Sequence, residues 1–429
     1  MRPIFTHQKI LILISGSIAA YKILDCISQL RKYGAHIKVV MSSEACKFVQ
    51  PLSFEALSGN VVLCEHNQSW SNDVNHIGYA KWADVVLVAP ASANTIAKIA
   101  IGAADNVLLA TLLASQAKKI IAPAMNTTML YAPQTQENLH KLAGLGYEII
   151  PPRAGLLACG DEGEGALANV QEIIFRLGRI LHTKTRSLWH NRAVIVTGGG
   201  SKESIDCVRY ISNYSSGKQA SYLAIALYML GAQVKLIASS ALELPLGVEY
   251  VQVQSVQDYA RATNEALNVR LDSINAKNAD SKTSKTRPKA SHSLDKAHKH
   301  IVFMAAALAD YAPRFYNGKL KKQQVGDVLK LQCFKTPDVL DSIPAHSAFK
   351  IGFKAESDEA SAQDYARDML AKKHCDMVCL NVIGADNPFG SEENHIQIIT
   401  QNNIQAVSGS KFDVSLAIAS AFERFYDEL

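Results

Sequence analysis

The stretch that decides the fold is Lys9-Ile-Leu-Ile-Leu-Ile-Ser15, followed at once by Gly16-Ser-Ile-Ala-Ala-Tyr-Lys22. A continuous apolar run that ends in a glycine turn is typical of a strand buried on both faces of a parallel sheet. The stretch after it, to Tyr33, is predicted to be helical, and a second strand is predicted at 36–41. Strand, turn, helix and strand in this order predict an α/β domain whose ligand binds beside the turn.

The same order recurs in the second half of the chain. Ala193-Val-Ile-Val-Thr197 leads into Gly198-Gly-Gly200, a helix is predicted from near Gln219 to Leu230, and a strand is predicted at 233–238. Two such openings with different turns predict two doubly wound α/β domains, one flavodoxin-like or Rossmann-like and one Rossmann-like. Because each domain has its own turn for a ligand, the chain is expected to be bifunctional.

The rest of the sequence pattern gives the predicted bounds of the two domains and of their further strands and helices. Residues 1–183 form the first predicted domain, 184–190 a linker, and 191–429 the second domain. The first domain is predicted to contain further strands at 84–90 and 119–123 and a closing helix at 170–182. The second is predicted to contain strands at 301–306, 328–334, 350–353 and 377–380 and a closing helix at about 413–428.

Composition indicates an ordinary globular protein. Hydrophobic residues make up 48% of the 429 residues and charged residues 19%. No apolar run reaches the ~18 residues that a membrane-spanning helix needs, and no signal-peptide pattern precedes the first strand, so a cytoplasmic protein without a membrane partner is expected. The eight cysteines show neither a CxxC pair nor metal-ligand spacing, which predicts reduced thiols.

The net charge of +5 is concentrated in one segment. Residues 276–300 contain seven Lys or Arg against two Asp, an excess equal to the net charge of the whole chain. The segment is rich in Ser, Lys, Ala and Asn, so it is predicted to be a flexible insertion at about 268–300 rather than a nucleic-acid-binding arm.

Hydroxyl and amide groups follow the predicted strands of the first domain. Gly16 and Ser17, then Ser42, then Ser92 with Asn94 come at the ends of three strands, whose carboxyl ends share one edge of a parallel sheet. Neither turn of the chain matches a dinucleotide fingerprint or a Walker loop. A mononucleotide such as FMN fits these donors, although each turn alone also fits simple helix capping.

Three further motifs narrow the function of this domain. They are Asn75-His76-Ile77, Pro123-Ala-Met-Asn126, and the glycine-rich acidic loop Ala158-Cys-Gly-Asp-Glu-Gly-Glu-Gly165. Each alone has an ordinary structural explanation: a helix start, a helix cap or an incidental cysteine. Together on one α/β domain they form a specific pattern.

With these motifs the first ~180 residues resemble the flavin-dependent cysteine decarboxylases. With the second half included, the chain resembles the bifunctional bacterial enzymes of coenzyme A biosynthesis, a phosphopantothenoylcysteine decarboxylase fused to a phosphopantothenate–cysteine ligase. The resemblance implies that FMN oxidises the CH₂–SH group to a thioaldehyde, which makes loss of CO₂ possible, and then reduces the resulting ene-thiol. It implies that His76 is the base, that Asn126 holds the substrate carboxylate, and that Cys159 donates the final proton. The implied FMN contacts are Gly16, Ser17, Ser42, Ser92, Asn94 and Met125.

The sequence around Cys159 supports its role as an acid. Asp161, Glu162 and Glu164 carry the same sign of charge as a thiolate, so they favour the protonated thiol. One departure accompanies this loop, because the family usually has Gly-Arg where this chain has Gly165-Ala166. Loop closure is therefore expected to be anchored differently.

The second domain has its own candidate motifs. Asn213 lies in a segment that ends in Ser215-Ser-Gly-Lys218, a small-residue strand ends at Asp310, and Lys319-Leu-Lys321-Lys322 follows in a loop. The ordinary structural explanations of these motifs are a capped helix and a run of charged residues on the surface. The departures from the family are Cys207, where the family has Pro, and Gln219-Ala220, where it has Met-Gly.

The resemblance implies that this domain uses CTP to activate the carboxylate of 4′-phosphopantothenate as an acyl-cytidylate, which the amine of cysteine then attacks. It implies that Lys319 stabilises charge on the α-phosphate and that Asn213 orients the acyl-cytidylate. The implied CTP contacts are Met304, Ala305, Ala306, Asp310, Lys319, Pro337, Asp338, Val339, Leu340, Phe353 and Lys373. Mg²⁺ is expected to bind mainly through the phosphates, so no protein ligand for it is predicted. The family also implies a homo-oligomer, with trimeric decarboxylase contacts and dimeric ligase contacts.

Two other functions stay open on the residues alone. A flavin-binding regulatory protein would keep the fold but would not need His76 or Cys159. An NAD(P)-linked oxidoreductase is disfavoured because the dinucleotide fingerprint is missing.

Overall fold

The computed structural model describes residues 4–182, 187–279, 299–321, 323, 326–384, 387–388 and 390–429, with the side chains of 268–279 left aside. The chain divides into two compact units, Met1–Thr185 and Arg186–Leu429. Most of the predicted basic insertion, 280–298, lies outside the described residues. Among the residues that are described, no helix is long and apolar enough to cross a membrane.

The first unit is built on a six-stranded sheet in which all pairs are parallel. The spatial order is β3-β2-β1-β4-β5-β6, the order of a Rossmann fold. The central strands are apolar and buried, as the continuous hydrophobic runs predict. The strands are β1 (Lys9–Ile14), β2 (His36–Met41), β3 (Val62–Leu63), β4 (Val85–Ala91), β5 (Lys118–Pro123) and β6 (Glu148–Ile149).

Eight α-helices accompany this sheet in the described part of the first unit: α1 (Lys22–Lys32), α2 (Pro51–Ser58), α3 (His76–Trp82), α4 (Ala93–Ala100), α5 (Val107–Ala114), α6 (Thr127–Tyr131), α7 (Pro133–Gly144) and α8 (Val170–His182). The closing helix α8 has the predicted bounds. An antiparallel hairpin, β7 (Arg153–Leu156) and β8 (Glu162–Ala166), stands apart from the main sheet and carries Cys159 in its turn.

The second unit has an eight-stranded sheet with the order β13-β12-β9-β14-β17-β18-β19-β20. Five neighbouring pairs are parallel, and the last two, β18-β19 and β19-β20, are antiparallel. Its strands are β9 (Ala193–Gly198), β12 (Gln233–Ala238), β13 (Glu249–Gln252), β14 (His300–Met304), β17 (Ala348–Glu356), β18 (Met377–Val382), β19 (Glu393–Ile399) and β20 (Ile404–Ser410). Two small hairpins pair β10 (Lys202–Ser204) with β11 (Tyr210–Ser212) and β15 (Tyr311–Pro313) with β16 (Cys333–Lys335).

Helices of the second unit are α9 (Lys218–Met229), α10 (Val256–Ala279), α11 (Val339–Ser342), α12 (Glu359–Lys372) and α13 (Lys411–Glu428), within the described residues. Trp189 is fully buried and its ring lies 5.7 Å from the ring of Phe422 on α13. The ordered core of this unit therefore begins before the first strand.

In the second unit one predicted strand is wrong, and some strands of the main sheet were not predicted. The strand predicted at 328–334 is present only as Cys333–Lys335, because it pairs with three residues of β15 and not with the main sheet. The antiparallel strands β19 and β20 were not predicted. β20 is a polar edge strand, Ile404-Gln-Ala-Val-Ser-Gly-Ser410, whose pattern gives little hydrophobic signal.

Candidate functional sites

The first candidate site lies where the strand order of the first unit reverses, between β1 and β4. Ser15, which sequence reasoning missed, joins these two strands. Its Oγ donates to the Pro90 carbonyl at 2.7 Å and accepts from the Ser92 N–H at 2.9 Å. Ser15 is buried, so its hydroxyl fixes the spacing of the two turns at the topological switch point, where α/β sheets bind ligands.

Serine hydroxyls lie near this point, at the ends of three strands that are neighbours in the sheet, β2, β1 and β4. The Ser17 Oγ accepts from the Ala19 N–H at 3.3 Å. The Ser42 and Ser92 hydroxyls likewise accept from backbone N–H groups three residues on, at 3.2 and 3.3 Å. A hydroxyl that accepts from the backbone can still donate its own hydrogen. Capping and ligand binding are therefore compatible at each of these residues.

His76 begins α3, as the sequence predicts. The buried Asn75 caps this helix through its Oδ1, which accepts from the Gly78 N–H at 2.9 Å. The His76 Nδ1 lies 3.1 Å from the Gln68 Oε1, and the Trp70 ring lies edge-on to the imidazole at 5.6 Å. The imidazole tautomer with its proton on Nδ1 can donate to this amide oxygen, and that tautomer leaves Nε2 as a proton acceptor.

Asn126 and Cys159 are brought together by the hairpin. The Asn126 Oδ1 caps α6 by accepting from the Thr128 N–H at 2.8 Å, which turns its Nδ2 toward the Cys159 Sγ at 3.4 Å. The Cys159 thiol in turn donates to the Asp161 Oδ2 at 3.3 Å. The Cys159 sulfur therefore lies between an amide donor and a carboxylate. Among the described residues no hydrogen bond joins His76 to this pair.

The hairpin is held on the start of α6 by backbone contacts. The Met125 N–H donates to the Gly165 carbonyl at 2.9 Å, and the Thr127 Oγ1 donates to the Glu164 carbonyl at 2.7 Å. Tyr131 adds a hydrogen bond to the Glu164 carboxylate. Gly165 has a φ of 140°, and a Cβ there would lie 2.2 Å from the Met125 carbonyl oxygen. Only glycine therefore allows this docking.

A cavity of about 430 Å³ forms the second candidate site, at the carboxyl ends of the parallel strands of the second unit. It collects nearly every predicted CTP contact together with Asn213. The predicted residues that line it are Asn213, Met304, Ala305, Ala306, Asp310, Pro337, Asp338, Val339, Leu340, Phe353 and Lys373. These residues come from separate segments of the chain, so their convergence is a result of the fold.

Asn213 is held at the rim of this cavity by its amide. Its Nδ2 donates to the Ala307 carbonyl at 3.0 Å. The backbone comes close behind it, since a Cβ on Gly200 would lie 2.9 Å from the Asn213 carbonyl oxygen. The glycine turn after β9 therefore supports the loop that carries Asn213.

Asp338 and Lys373 form an ion pair inside the cavity. The Lys373 Nζ lies 2.8 Å from the Asp338 Oδ2. Partial burial opposes ionisation of Asp338, but this lysine and the Asp341 N–H hold the pKa of the carboxyl below its ordinary value. The Asp338 carboxylate therefore stays charged at neutral pH.

Four lysines also line this cavity. Lys218 belongs to a predicted candidate motif, whereas sequence reasoning missed Lys335, Lys354 and Lys411. Lys218 pairs with Glu392. Lys411 donates to the Ser391 and Glu393 carbonyls at 2.5 and 3.0 Å, and burial lowers its pKa. An excess of lysines suits a polyanionic ligand, but no sequence motif connects residues so far apart in the chain.

Lys319 is exposed and is not among the described residues that line the cavity. Its neighbour Leu320 is held by an ion pair on the preceding loop. The Leu320 N–H donates to the Asp206 Oδ2 at 3.1 Å, and the Arg209 Nη2 donates to the Leu320 carbonyl at 2.9 Å. The role of Lys319 stays a prediction.

The departures at the start of α9 have local explanations. The Gln219 Nε2 donates to the Ser415 Oγ at 2.9 Å, which ties α9 to α13. Ala220 packs on β9, since a Cβ on Gly198 would lie 2.3 Å from the Ala220 Cβ. Gly198 therefore makes room for the alanine. Nothing in the structure explains Cys207, which is exposed.

Comparison with known proteins gives the family. Residues 5–181 match the Flavoprotein family model, and residues 189–294 and 283–425 match the model of the DNA/pantothenate metabolism flavoprotein C-terminal domain. The Coenzyme A biosynthesis bifunctional protein CoaBC of Haemophilus influenzae is 36% identical over 412 residues, which cover 94% of this chain and 93% of that protein. The chain belongs to the CoaBC family.

A second relative agrees with this family. The CoaBC protein of Bacillus subtilis is 35% identical over 421 residues, which cover 96% of each chain. The crystal structure of the FMN-dependent cysteine decarboxylase SpaF is 32% identical, covers 40% of this chain and 94% of its own, and has a TM-score of 0.35. The two CoaBC relatives confirm, over nearly the whole chain, the resemblance inferred from the motifs.

Proposed function

We propose that this chain makes 4′-phosphopantetheine in two steps of coenzyme A biosynthesis. The second unit ligates cysteine to 4′-phosphopantothenate with CTP, and the first unit decarboxylates the product. The observation that carries this proposal is the identity of 36% with a CoaBC protein over 94% of the chain.

The first unit fits FMN at the switch point of its sheet. The Ser17 and Ser42 hydroxyls each accept from a backbone N–H and have a hydrogen left to donate there, and the Ser92 hydroxyl lies 3.0 Å from the Thr95 hydroxyl. These donors suit a phosphate and a polyhydroxyl chain. Bound FMN would supply the two-electron oxidation of the substrate CH₂–SH and the later return of the electrons.

The residues of this unit then move protons and hold the substrate. The basic Nε2 of His76 accepts the proton that the substrate loses. The Asn126 amide, turned outward by its helix cap, donates to the substrate carboxylate until CO₂ leaves. The protonated thiol of Cys159 donates the last proton to the carbon that CO₂ has left.

The second unit joins the two substrates through an activated acid. The carboxylate of 4′-phosphopantothenate attacks the α-phosphate of CTP, so pyrophosphate leaves and an acyl-cytidylate forms. The amine of cysteine attacks the acyl carbon, and CMP leaves. Lys319 stabilises charge on the α-phosphate, and Asn213 orients the acyl-cytidylate.

Mg²⁺ would accompany the triphosphate. The carboxylates of Asp310 and Asp338 lie in the cavity, and a phosphate-bound Mg²⁺ uses one or two protein carboxylates at most.

We also propose a homo-oligomer, trimeric through the first unit and dimeric through the second, in which a neighbouring subunit brings His76 toward Asn126 and Cys159.

Two assays test this function. The purified protein should be yellow, with absorbance near about 450 nm, and should release CO₂ from 4′-phosphopantothenoylcysteine. It should also release CMP from CTP only when both 4′-phosphopantothenate and cysteine are present. A yellow protein without either activity would instead be the flavin-binding regulatory protein.

A further inference from the structure

Two cysteines of the first unit lie side by side at the carboxyl edge of its sheet. The Cys46 Sγ lies 3.9 Å from the Cys64 Sγ, and both thiols are free. Cys46 lies in the short 3-10 helix Ala45–Lys47, which follows β2, and Cys64 comes directly after β3. Because β2 and β3 are parallel neighbours, the two cysteines meet where both strands end. Neither cysteine has a role in the two proposed reactions.

The two thiols differ in access to small molecules. Cys46 is partly exposed, whereas Cys64 is only 2% exposed. Burial raises the pKa of the Cys64 thiol to about 12, and the neighbouring Cys46 adds to this shift. A small oxidant therefore reacts first at Cys46, and the buried Cys64 follows as the second thiol.

A bond between the two sulfur atoms requires a movement of the Cys46 turn. A disulfide has an S–S distance of about 2 Å, so the sulfur atoms must approach each other by roughly 2 Å. Cys64 is anchored, because its N–H donates to the Asn67 Oδ1 at 2.8 Å and the Asn67 Nδ2 donates to the Val62 carbonyl at 2.8 Å. The partly exposed turn of Cys46 is therefore the side that moves.

This turn is connected to the proposed cofactor site. The Cys46 N–H donates to the Ser42 carbonyl at 3.2 Å, and the Ala45 N–H donates to the Ser42 Oγ at 3.2 Å. Glu44 packs against the glycine turn after β1, since a Cβ on Gly16 would lie 2.6 Å from the Glu44 Cβ. A shift of Cys46 therefore displaces Ser42 and changes the contact with Gly16, and both are predicted FMN contacts.

We propose that Cys46 and Cys64 form a reversible disulfide that weakens FMN binding by displacing the turn that carries Ser42. The effect on FMN rests on the proposed cofactor site, whereas formation of the disulfide does not.

The oxidant is a low-molecular-weight disulfide. The Cys46 thiolate attacks one of its sulfur atoms, and the other half leaves and takes up the proton that Cys46 has lost. The Cys64 thiolate then attacks the Cys46 sulfur, and the second half leaves as a thiol. The protein loses two electrons and two protons, which convert one molecule of the oxidant into two thiols.

Incubation with oxidised glutathione tests both parts of the proposal. The FMN-loaded full-length protein is treated without reductant, and a proteolytic digest is analysed by mass spectrometry. The digest should contain a peptide pair that joins Cys46 to Cys64 and is two hydrogens lighter than the reduced peptides. The FMN dissociation constant, measured by flavin fluorescence, should rise by about tenfold, because a displaced Ser42 loses one hydrogen bond to the cofactor. Dithiothreitol should reverse both changes.

Substitutions of single cysteines provide the controls. Cys46→Ser, and Cys46→Ala as a second variant, should form no cross-link and should keep the reduced wild-type affinity for FMN after the same treatment. Cys333→Ser removes an exposed cysteine on β16, in the other unit, and should behave like wild type.

The outcomes separate this proposal from the proposed cofactor. A mixed disulfide that persists on Cys46 without the cross-link would overturn the proposal, and so would a cross-linked protein that binds FMN with unchanged affinity. Equal weakening of FMN binding in oxidised Cys46→Ser would assign the effect to another cysteine and would also overturn it. A reduced protein that binds no FMN would contradict the proposed cofactor instead, and the digest would still test the disulfide.

Discussion

Single atoms decide the proposed chemistry of the first unit. The Asn126 amide is oriented by its own helix cap, so that its N–H₂ group contacts the Cys159 sulfur. The thiol then donates to Asp161. A neutral thiol is a proton donor and a poor nucleophile, which fits the last step of the decarboxylation and not covalent catalysis.

Replacing the proton donor should therefore separate the two halves of this reaction. In Cys159→Ser, in the absence of oxygen, we expect up to one CO₂ to be released per bound FMN while the oxidised ene-thiol accumulates, because a serine hydroxyl is a far weaker acid and the flavin stays reduced. Mass spectrometry of the quenched mixture detects that compound, which is two hydrogens lighter than 4′-phosphopantetheine. Normal output of 4′-phosphopantetheine from this variant would refute the role of Cys159.

Lys319 gives the matching test in the second unit. In Lys319→Gln we expect CMP formation to be abolished, because the charge that builds on the α-phosphate loses its counter-ion. Decarboxylation of supplied 4′-phosphopantothenoylcysteine should stay at the wild-type rate. Lys321→Gln, two residues away on the same loop, is the comparison. Loss of both activities in Lys319→Gln would contradict independent sites.

At the scale of elements, long apolar strands could be predicted and short or polar strands could not. β1, β2 and α8 match the prediction closely because a continuous apolar run and an amphipathic helix are local signals. β20 and the β15–β16 hairpin depend on pairing with distant segments. Val328-Leu-Lys-Leu alternates like a strand but stays largely exposed, since its alternation has no sheet to face.

The same reason limits what could be predicted of the sites. The residues of one motif, such as Asn126 at the end of β5, were predictable from their own segment. The contact of Asn126 with Cys159, and the convergence of Lys411 with the predicted Lys218 at the cavity, depend on the packing of separate elements. Ser15 was missed because a serine at the end of a strand has no local signature of its bond to Pro90.

We expect the docking of the β7–β8 hairpin on α6 to affect decarboxylation more than it affects the stability of the fold. In Gly165→Ala we expect decarboxylation to fall at least tenfold, because the new Cβ collides with the Met125 carbonyl and displaces Cys159. The strained φ alone costs about 1–3 kcal/mol. Ligation should be unchanged, which a CMP assay on the same sample measures.

Gly102→Ala is the matched control. This glycine also has a positive φ, 74°, but a Cβ added to it would have no other atom within 4 Å. The variant should lose a similar amount of local stability and keep its decarboxylation rate. Equal loss of activity in both variants would mean that the strained backbone, and not the contact with Met125, is responsible.

At the scale of the whole molecule, two α/β units carry two sets of residues on one chain. Each site lies at the carboxyl edge of its own sheet, as doubly wound folds favour. The positive charge of the chain is concentrated in 276–300, which contains no predicted site residue of either unit.

A variant that lacks 280–298, which leaves α10 and β14 intact, should therefore keep both activities within about twofold of wild type. The segment contributes no predicted catalytic group, and its composition does not favour a packed core. CO₂ release and CMP formation measure the two activities separately. Complete loss of ligation in a variant that still binds FMN would show that the segment has a functional role.

The most direct test of the account is mass spectrometry of one reaction mixture. The protein is incubated with 4′-phosphopantothenate, cysteine, CTP and Mg²⁺, and the products are followed over time. We predict that 4′-phosphopantothenoylcysteine appears first and 4′-phosphopantetheine follows, with CMP formed in equal amount to the ligated product. Absence of both acylated products, or accumulation of the first without any of the second, would contradict a chain with two working sites.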